Sequence, residues 1–149
     1  MEISITVNGL SKLQAKLTSL SPHIADFTSE LVTTGQYLQG WFETYPFVTE
    51  GAIYGESWAQ LSPKYAIAKA NKYRGKGILI ASGAMQKAFS FQSSTNFLRV
   101  FNLTDYFKYH QLGTSKMPQR VVMALVPKNI EGIKEIFRQG TINKLNELI

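Results

Sequence analysis

The longest regular pattern in the sequence is an apolar stripe between residues 24 and 42. Its members, three or four residues apart, are Ile24, Phe27, Leu31, Gly35, Leu38 and Phe42. Because an α-helix turns once every 3.6 residues, this spacing places all six on one face of a single long helix. Asp26, Glu30 and Glu43 fall outside that face. A glycine such as Gly35 costs roughly 1 kcal/mol relative to alanine there, so we expect close approach of another backbone element.

Shorter patterns predict the remaining helices and strands. Further helices are predicted over residues 10–20, 62–72, 82–87 and 105–111, and from Pro127 to a break at Gly140. Strands are predicted over residues 3–7, 89–91, 97–103 and 121–126, with a turn at Asn8-Gly9 and a hairpin turn at 93–96. Ser62 is expected to cap the helix that begins at Pro63.

These elements predict an α+β fold, with a small antiparallel sheet packed against N-terminal and C-terminal helices. At 149 residues the chain fits one domain over 1–149, large enough to bury a core without metals or disulfides. The glycine-rich and aromatic stretch 45–57 is expected to be a contact loop. Residues 140–149 are expected to form a C-terminal helical arm.

The chain contains no cysteine, which excludes several classes of protein. A disulfide scaffold, a thiolate zinc site, an iron–sulfur cluster and a cysteine nucleophile all need thiols. No apolar run approaches the ~20 residues that span a bilayer, and the first residues lack the basic start and apolar centre of a signal peptide. We therefore expect a soluble protein that is not exported and has no membrane partner.

Charge is distributed unevenly along the chain. The net charge is +6, made up of −4 over residues 1–56, +7 over 57–104 and +3 over 105–149. The middle segment contains seven basic residues and no acidic one. Such an excess suggests a polyanion or an acidic protein as partner, and it does not choose between them.

A cationic face is predicted on the helix that follows Ser62. Lys64, Lys69 and Lys72 lie within about 140° of one another around a helix, and Arg74 and Lys76 continue the series. Tyrosines are interleaved with these bases, as in many surfaces that bind nucleic acids. The alternatives are a partner-binding face, for DNA or an acidic neighbour, and an ordinary solvated helix face.

Residue types that could support catalysis are present but poorly placed. Asp105, His110 and Ser115 have the chemistry of a hydrolase triad. On a helix, successive steps of five residues place them about 140° apart, and no nucleophile-elbow pattern surrounds the serine. We expect Asp105 to cap a turn and His110 to make a structural hydrogen bond.

A metal or cofactor site is not expected either. His23 and His110 are the only histidines, and no carboxylate has the spacing of a ligand beside them. Glu50 and Glu56 lie in a glycine-containing loop, where solvated surface carboxylates are the common arrangement. Arg74-Gly75-Lys76-Gly77 lacks the pattern of a nucleotide-binding loop and is expected to be a mobile charged turn. Hence no catalytic residue, metal or cofactor is assigned.

Two segments together resemble a known family. The first runs Gly55-Glu-Ser-Trp58-Ala-Gln-Leu61-Ser-Pro-Lys-Tyr65 and continues to Lys72 and Ile78-Leu-Ile-Ala-Ser82-Gly83-Ala-Met85. The second runs Tyr106-Phe-Lys-Tyr-His110-Gln111-Leu-Gly113, followed by Met117-Pro118-Gln-Arg120. In order and spacing they resemble the Mu-type virion morphogenesis or tail-completion proteins of phages.

The resemblance implies a structural subunit of the virion rather than an enzyme. It implies a small α+β chain that assembles with itself into a ring, expected to be hexameric, in the host cytoplasm. The ring would lie at the head-to-tail joint, between the portal or its adaptor (neck proteins) and the tail tube, as a tail terminator or a neck protein. Passing DNA could touch it. A basic nucleic-acid-binding module is the alternative.

The motif residues also have structural roles that physical chemistry supplies. Trp58 and Leu61 would anchor a loop to the core, and Gly83 would permit a tight helix start. Gly113 would permit a turn, and Pro118 and Arg120 would set the entry to the strand at 121–126. Tyr106 belongs to the same motif, and His110 and Gln111 would tie this loop to backbone groups.

Overall fold

The computed structural model describes residues 2–5, 10–19 and 21–148. Its elements are β1 (Glu2–Ile5), α1 (Leu10–Thr18), α2 (Pro22–Ala25), α3 (Thr28–Val48), a 3₁₀ turn (Ala52–Tyr54), α4 (Pro63–Lys72), β2 (Phe89–Ser93), β3 (Leu98–Asn102), α5 (Phe107–Leu112) and α6 (Pro127–Asn146). The predicted α+β class is confirmed. The predicted Asn8-Gly9 turn lies outside the described residues.

The strands form a three-stranded sheet in the order β1-β3-β2. β1 runs antiparallel to β3, with Glu2 opposite Phe101 and Ile5 opposite Leu98. The Ser94 N–H donates to the Phe97 carbonyl at 3.0 Å and closes the turn between β2 and β3, so the predicted hairpin is confirmed. Alternate residues of β3 are buried, which matches the period of two of a strand with one covered face.

The long apolar stripe is buried at all six positions, but it does not belong to one helix. α2 ends before Asp26, whose extended backbone separates α2 from α3. The Asp26 carboxylate accepts hydrogen bonds from the Thr28 N–H at 3.0 Å and the Thr28 hydroxyl at 2.6 Å. An aspartate two residues before a helix can accept hydrogen bonds from its free amides, which favours a new helix start after Asp26. The apolar spacing carries no signal for this break, so a single helix was predicted.

α3 extends further toward its C-terminus than predicted. It continues through the buried Pro46 to Val48, so the predicted loop 45–57 is wrong for its first four residues. α4 begins at Pro63 as predicted, with the Ser62 hydroxyl accepting from the Tyr65 N–H at 3.4 Å. Within the described residues, the chain divides into two compact units: one contains residues 39–90 and 102–126, and the other 2–38, 91–101 and 127–148.

In the second unit, three glycines are each packed closely against a large side chain from elsewhere in the chain. We call these glycines, Gly35, Gly132 and Gly140, the glycine sockets. A Cβ atom would lie 2.7 Å from Phe91 Cγ at Gly35, 2.7 Å from Tyr37 Oη at Gly132 and 2.7 Å from Glu30 Cδ at Gly140. Ordinary carbon contacts are about 3.5–4.0 Å long, so each side chain requires its glycine. The expected close approach at Gly35 is therefore made by an aromatic ring and not by backbone.

Gly140 does not break the last helix, contrary to the prediction, and α6 continues to Asn146. The reason is the buried Glu30, only 3% exposed, which forms an ion pair of 2.6 Å with Lys144. The Lys144 ammonium also donates to the Asp26 carbonyl and lies 5.1 Å from the centre of the Phe27 ring. Glu30 lies outside the apolar stripe, as predicted, but is buried by this ion pair. The helical arm expected over residues 140–149 stays a prediction.

Candidate functional site

The loop after α3 is fixed by Trp58, a residue of the first family-like motif. The buried Trp58 donates its backbone N–H to the Glu50 carbonyl and its indole N–H to the Val121 carbonyl, both at 2.7 Å. Its ring meets the Phe47 ring edge-on at 5.7 Å. Gly51 has a φ of +85°, and the Trp58 ring occupies the space that a side chain there would need. Trp58 thus ties this loop to the segment after α5.

The segment 121–126 was predicted to be a strand, and the structure shows no strand there. Side chains bond its backbone in place of a neighbouring strand. Buried Gln111 accepts from the N–H groups of Val122 and Met123 at 2.9 and 3.0 Å and donates to the Met123 carbonyl at 2.9 Å. The Tyr54 hydroxyl donates to the Val122 carbonyl at 2.8 Å. Because buried backbone groups need a partner of any kind, these contacts make a sheet unnecessary.

Arg120 joins the two family-like motifs. Its buried guanidinium donates to the carbonyls of Ala59 at 2.9 Å and Gln60 at 3.3 Å, and its backbone N–H donates to the His110 carbonyl at 2.8 Å. The turn that leads to it needs Gly113, where φ is +73° and a Cβ would lie 2.8 Å from the Gln119 nitrogen. Motifs that are separate in sequence are therefore held together by hydrogen bonds to backbone.

The two motifs enclose a cavity of about 620 Å³, which we call the cationic cavity. Its apolar lining includes Leu61, Met85, Met117 and Pro118, with Tyr65 and Tyr106 beside them. Its ionisable lining consists of Lys69, His110, Lys116 and Arg120, with no aspartate or glutamate among the described residues that line it. A volume of this size is within the usual range for ligand sites, and the lining favours an apolar group that carries negative charge.

The predicted motif residues fall into two groups. Leu61, Gly83, Tyr106, His110, Pro118 and Arg120 line the cationic cavity. Trp58, Gln111 and Gly113 do not line it but hold the loops around it. The expected helix start at Gly83 is wrong, because residues 82–87 form turns and Gly83 has a φ of +84°, which an α-helix excludes.

Lys69 does not belong to the predicted cationic face. Its side chain is 7% exposed, and its ammonium donates to the Gly77 carbonyl. Burial lowers the pKa of Lys69, and the nearby Glu50 carboxylate opposes that shift. Glu50 is not a solvated carboxylate as predicted, since it accepts from the Ile78 N–H at 2.9 Å. Together Lys69 and Glu50 hold Gly77 and Ile78, where the charged turn 74–77 ends. That turn was expected to be mobile.

The remaining cationic face consists of Lys64, Lys72, Arg74 and Lys76, all of them exposed. The Lys72 ammonium lies 5.3 Å from the centre of the Tyr73 ring. At this distance a cation and an aromatic face attract each other weakly at an exposed site. Four solvated cations on and after α4 therefore remain available for a partner.

The hydrolase arrangement is not formed. His110 Nδ1 is buried without a hydrogen-bond partner among the described residues, whereas a triad needs a carboxylate at that atom. Asp105 and Ser115 are exposed, and Tyr106 rather than Asp105 precedes α5. His110 does make a structural hydrogen bond, as expected, but through its backbone: its carbonyl accepts from the Arg120 N–H, and Nδ1 takes no part.

Sequence reasoning gave no structural role to Glu50 or Tyr54, which both act within the first unit. Glu50 has a φ of +47°, and its carbonyl and carboxylate each accept a backbone N–H, from Trp58 and Ile78. No local pattern indicates these contacts, because both depend on chain segments that are distant in sequence. Tyr54 lies in the aromatic stretch 45–57, and that clustering of aromatics was the only sequence signal for it.

Comparisons with known proteins give no relative. No protein-family model, curated protein or solved structure matches the chain. In the described part of the chain, His, Asp and Glu form no group of three or more that could hold a metal ion. No helix in the same residues is long and apolar enough to cross a membrane.

We expect His110 to make the chain less stable at mildly acidic pH. Burial and, second, the Arg120 charge lower the pKa of His110, so the unfolded state, with a histidine pKa of about 6.5, binds more protons. Stability is full above about pH 6.5 and falls as the pH is lowered through that value. The urea midpoint measured at about pH 7 and pH 5 should fall in the wild type and stay nearly constant in His110→Gln. His23→Gln, at an exposed site, is the control; an unchanged acid dependence in His110→Gln would contradict the assignment.

Proposed function

We propose that the chain is a non-catalytic assembly subunit of a phage head-to-tail joint, either a tail-completion (tail-terminator) protein or a neck protein. The supporting observation is that both family-like motifs converge on one cavity, held by Trp58, Gln111 and Arg120. These three side chains use their polar atoms on backbone groups. Such an arrangement builds a rigid surface for binding, which supports the proposal of an assembly role.

A ring explains how a chain of this size would act at such a joint. When two different patches of the same chain bind each other and the rotation closes, the product is a cyclic oligomer. Each interface then needs little area, because the closed ring makes every contact effectively intramolecular. The proposed partners are further copies of the chain in a hexamer, the portal or its adaptor, and the tail tube, within a virion assembled in the host cytoplasm.

The remaining cationic face is proposed to meet an acidic protein or passing DNA. It lies within residues 57–104, which contain seven basic residues and no acidic one, and such an excess favours a negatively charged partner. The same observation favours the second candidate function, a basic nucleic-acid-binding module. That candidate predicts binding of free DNA by the purified chain, weakening steeply as salt is raised.

Deleting the gene for this chain in its phage should leave heads and tails unjoined, or tails of abnormal length, with infectivity reduced at least about a hundredfold. Electron microscopy of lysates and plaque counts measure this. Complementation with the wild-type gene restores particles, whereas the triple variant Lys64→Glu, Lys72→Glu, Arg74→Glu restores them poorly if the remaining cationic face meets a partner. Lys69 is left unchanged because it is buried.

Lys12→Glu with Lys16→Glu is the matched control, since both residues are exposed on α1. Joined, infectious particles from the deletion strain would refute the assembly function. Full complementation by the triple variant would refute the role of the cationic face alone. Tight, salt-sensitive DNA binding together with normal particles would favour the second candidate.

A further inference from the structure

The cationic cavity has the chemistry of a docking site for an apolar group with negative charge. Leu61, Met85 and Met117 supply apolar surface, while Lys69, Lys116 and Arg120 line it without a carboxylate. His110 Nδ1 lies in the same lining without a partner among the described residues. An occupant must therefore combine aliphatic side chains with a negative or hydrogen-bonding tip.

Four exposed apolar side chains on α1, α4 and α5 can be compared with this requirement. Leu13 on α1 follows Lys12, Tyr65 and Ile67 on α4 lie among the cationic residues, and Tyr109 on α5 has the Lys108 ammonium 5.2 Å from its ring centre. Those surfaces carry the same charge as the cavity. Like charges brought together would oppose binding.

The end of α6 differs from those surfaces. Ile142 and Leu145 on α6 are 39% and 44% exposed, and Leu148, in the turn just after Asn146, is 55% exposed. These three apolar side chains form an exposed group at the end of α6. The C-terminus of a helix carries a partial negative charge from its free carbonyls, and the exposed Glu147, whose Oε2 lies 2.9 Å from His23 Nε2, adds a carboxylate. The nearby Lys144 is buried and paired with Glu30, so it does not cancel this charge toward solvent.

We propose that the end of α6 of one copy of the chain docks into the cationic cavity of a second copy. This contact pairs two different patches, one in each compact unit, and it is the heterologous type that can close into a ring. The inference rests on the proposed function, for which it specifies the two faces of the subunit contact. Ile142, Leu145 and Leu148 meet the apolar lining, and the negative helix end faces Lys116, the exposed cation of that lining.

The absence of native cysteine allows a direct test by cross-linking. Ala81 lines the cavity and Leu148 lies at the exposed helix end, so Ala81→Cys and Leu148→Cys place one thiol on each proposed face. Disulfides form only when two Cα atoms come within about 7 Å. Equal amounts of the two single-cysteine chains, mixed and mildly oxidised, should give the mixed dimer at least about ten times faster than either homodimer.

Lys12→Cys, exposed on α1, replaces Leu148→Cys in the control mixture and should cross-link only at the slow background rate. Unchanged unfolding midpoints of the single-cysteine chains show that the substitutions are tolerated. Homodimers that equal the mixed dimer, or a mixed dimer no faster than the control, would overturn the proposed contact.

Sedimentation and electron microscopy of the wild type separate this inference from the proposed function. Rings without preferential cross-linking would leave the assembly function standing and refute this contact. Preferential cross-linking of a chain that forms no ring, in solution or in the particle, would support the contact and refute the ring. A monomer without preferential cross-linking would refute both.

Discussion

Gly51→Ala is expected to lower the free energy of unfolding by about 3 kcal/mol or more. Two costs combine at this position. A φ of +85° is unfavourable for alanine, and the new Cβ would lie 2.8 Å from Cγ of the buried Trp58 ring. Displacing that ring also breaks the 2.7 Å hydrogen bond from its indole N–H to the Val121 carbonyl. Urea titrations of the purified variant and wild type measure the difference.

Gly55→Ala in the same loop separates the two costs. Gly55 has a φ of +107°, and nothing lies within 4 Å of a Cβ built there. It should lose only the conformational part, about 1–3 kcal/mol. The difference between the two variants measures how firmly Trp58 is held. Equal losses at both positions would show that the loop accommodates a displaced ring and that Trp58 does not fix it.

Lys144→Met is expected to cost about 3–5 kcal/mol of stability. The substitution leaves the Glu30 carboxylate, 3% exposed, without its cation, and burying an unpaired charge is costly. Removing both charges in Glu30→Met, Lys144→Met should recover most of the loss, because an apolar pair of similar size replaces a buried ion pair at little cost. The three variants and the wild type form a double-mutant cycle in which the free energy of unfolding gives the coupling.

Lys134→Met is the matched control, because Lys134 forms an exposed 2.8 Å ion pair with Glu131 on the same helix. An exposed pair of this kind contributes at most about 1 kcal/mol. If Lys144→Met costs no more than Lys134→Met, the burial of the Glu30 pair is not what holds the end of α6. The double variant would then show no recovery.

The parts of the fold that depend on local periodicity could be predicted from the sequence. The leucine spacing on α1, the Ser62-Pro63 start of α4 and the β2-β3 hairpin are encoded within a few residues, and all three are confirmed. The strand predicted at 121–126 has an equally good local pattern. It fails because Tyr54, Trp58 and Gln111 supply its hydrogen bonds, and no window of adjacent residues contains that information.

The candidate site shows the same limit. Helical angles placed Lys69 with Lys64 and Lys72, but they carry no information about what faces each side of the helix. The Gly77 carbonyl and the Glu50 carboxylate make the buried position of Lys69 favourable, and both come from other loops. The resemblance indicated most of the residues around the cavity, whereas their convergence is visible only in the folded chain.

At each glycine socket, the substitutions that the fold tolerates depend on the size of the side chain packed against the glycine. A larger residue at Gly140 is tolerable only if the side chain at Glu30 becomes shorter, and the same holds for Gly132 with Tyr37 and Gly35 with Phe91. These pairs therefore evolve as units: a change at either member closes some substitutions and opens others at its partner. In diverged descendants of this chain, the two members of each pair should be inherited together or replaced together. A glycine at one position should therefore accompany a large side chain at the other.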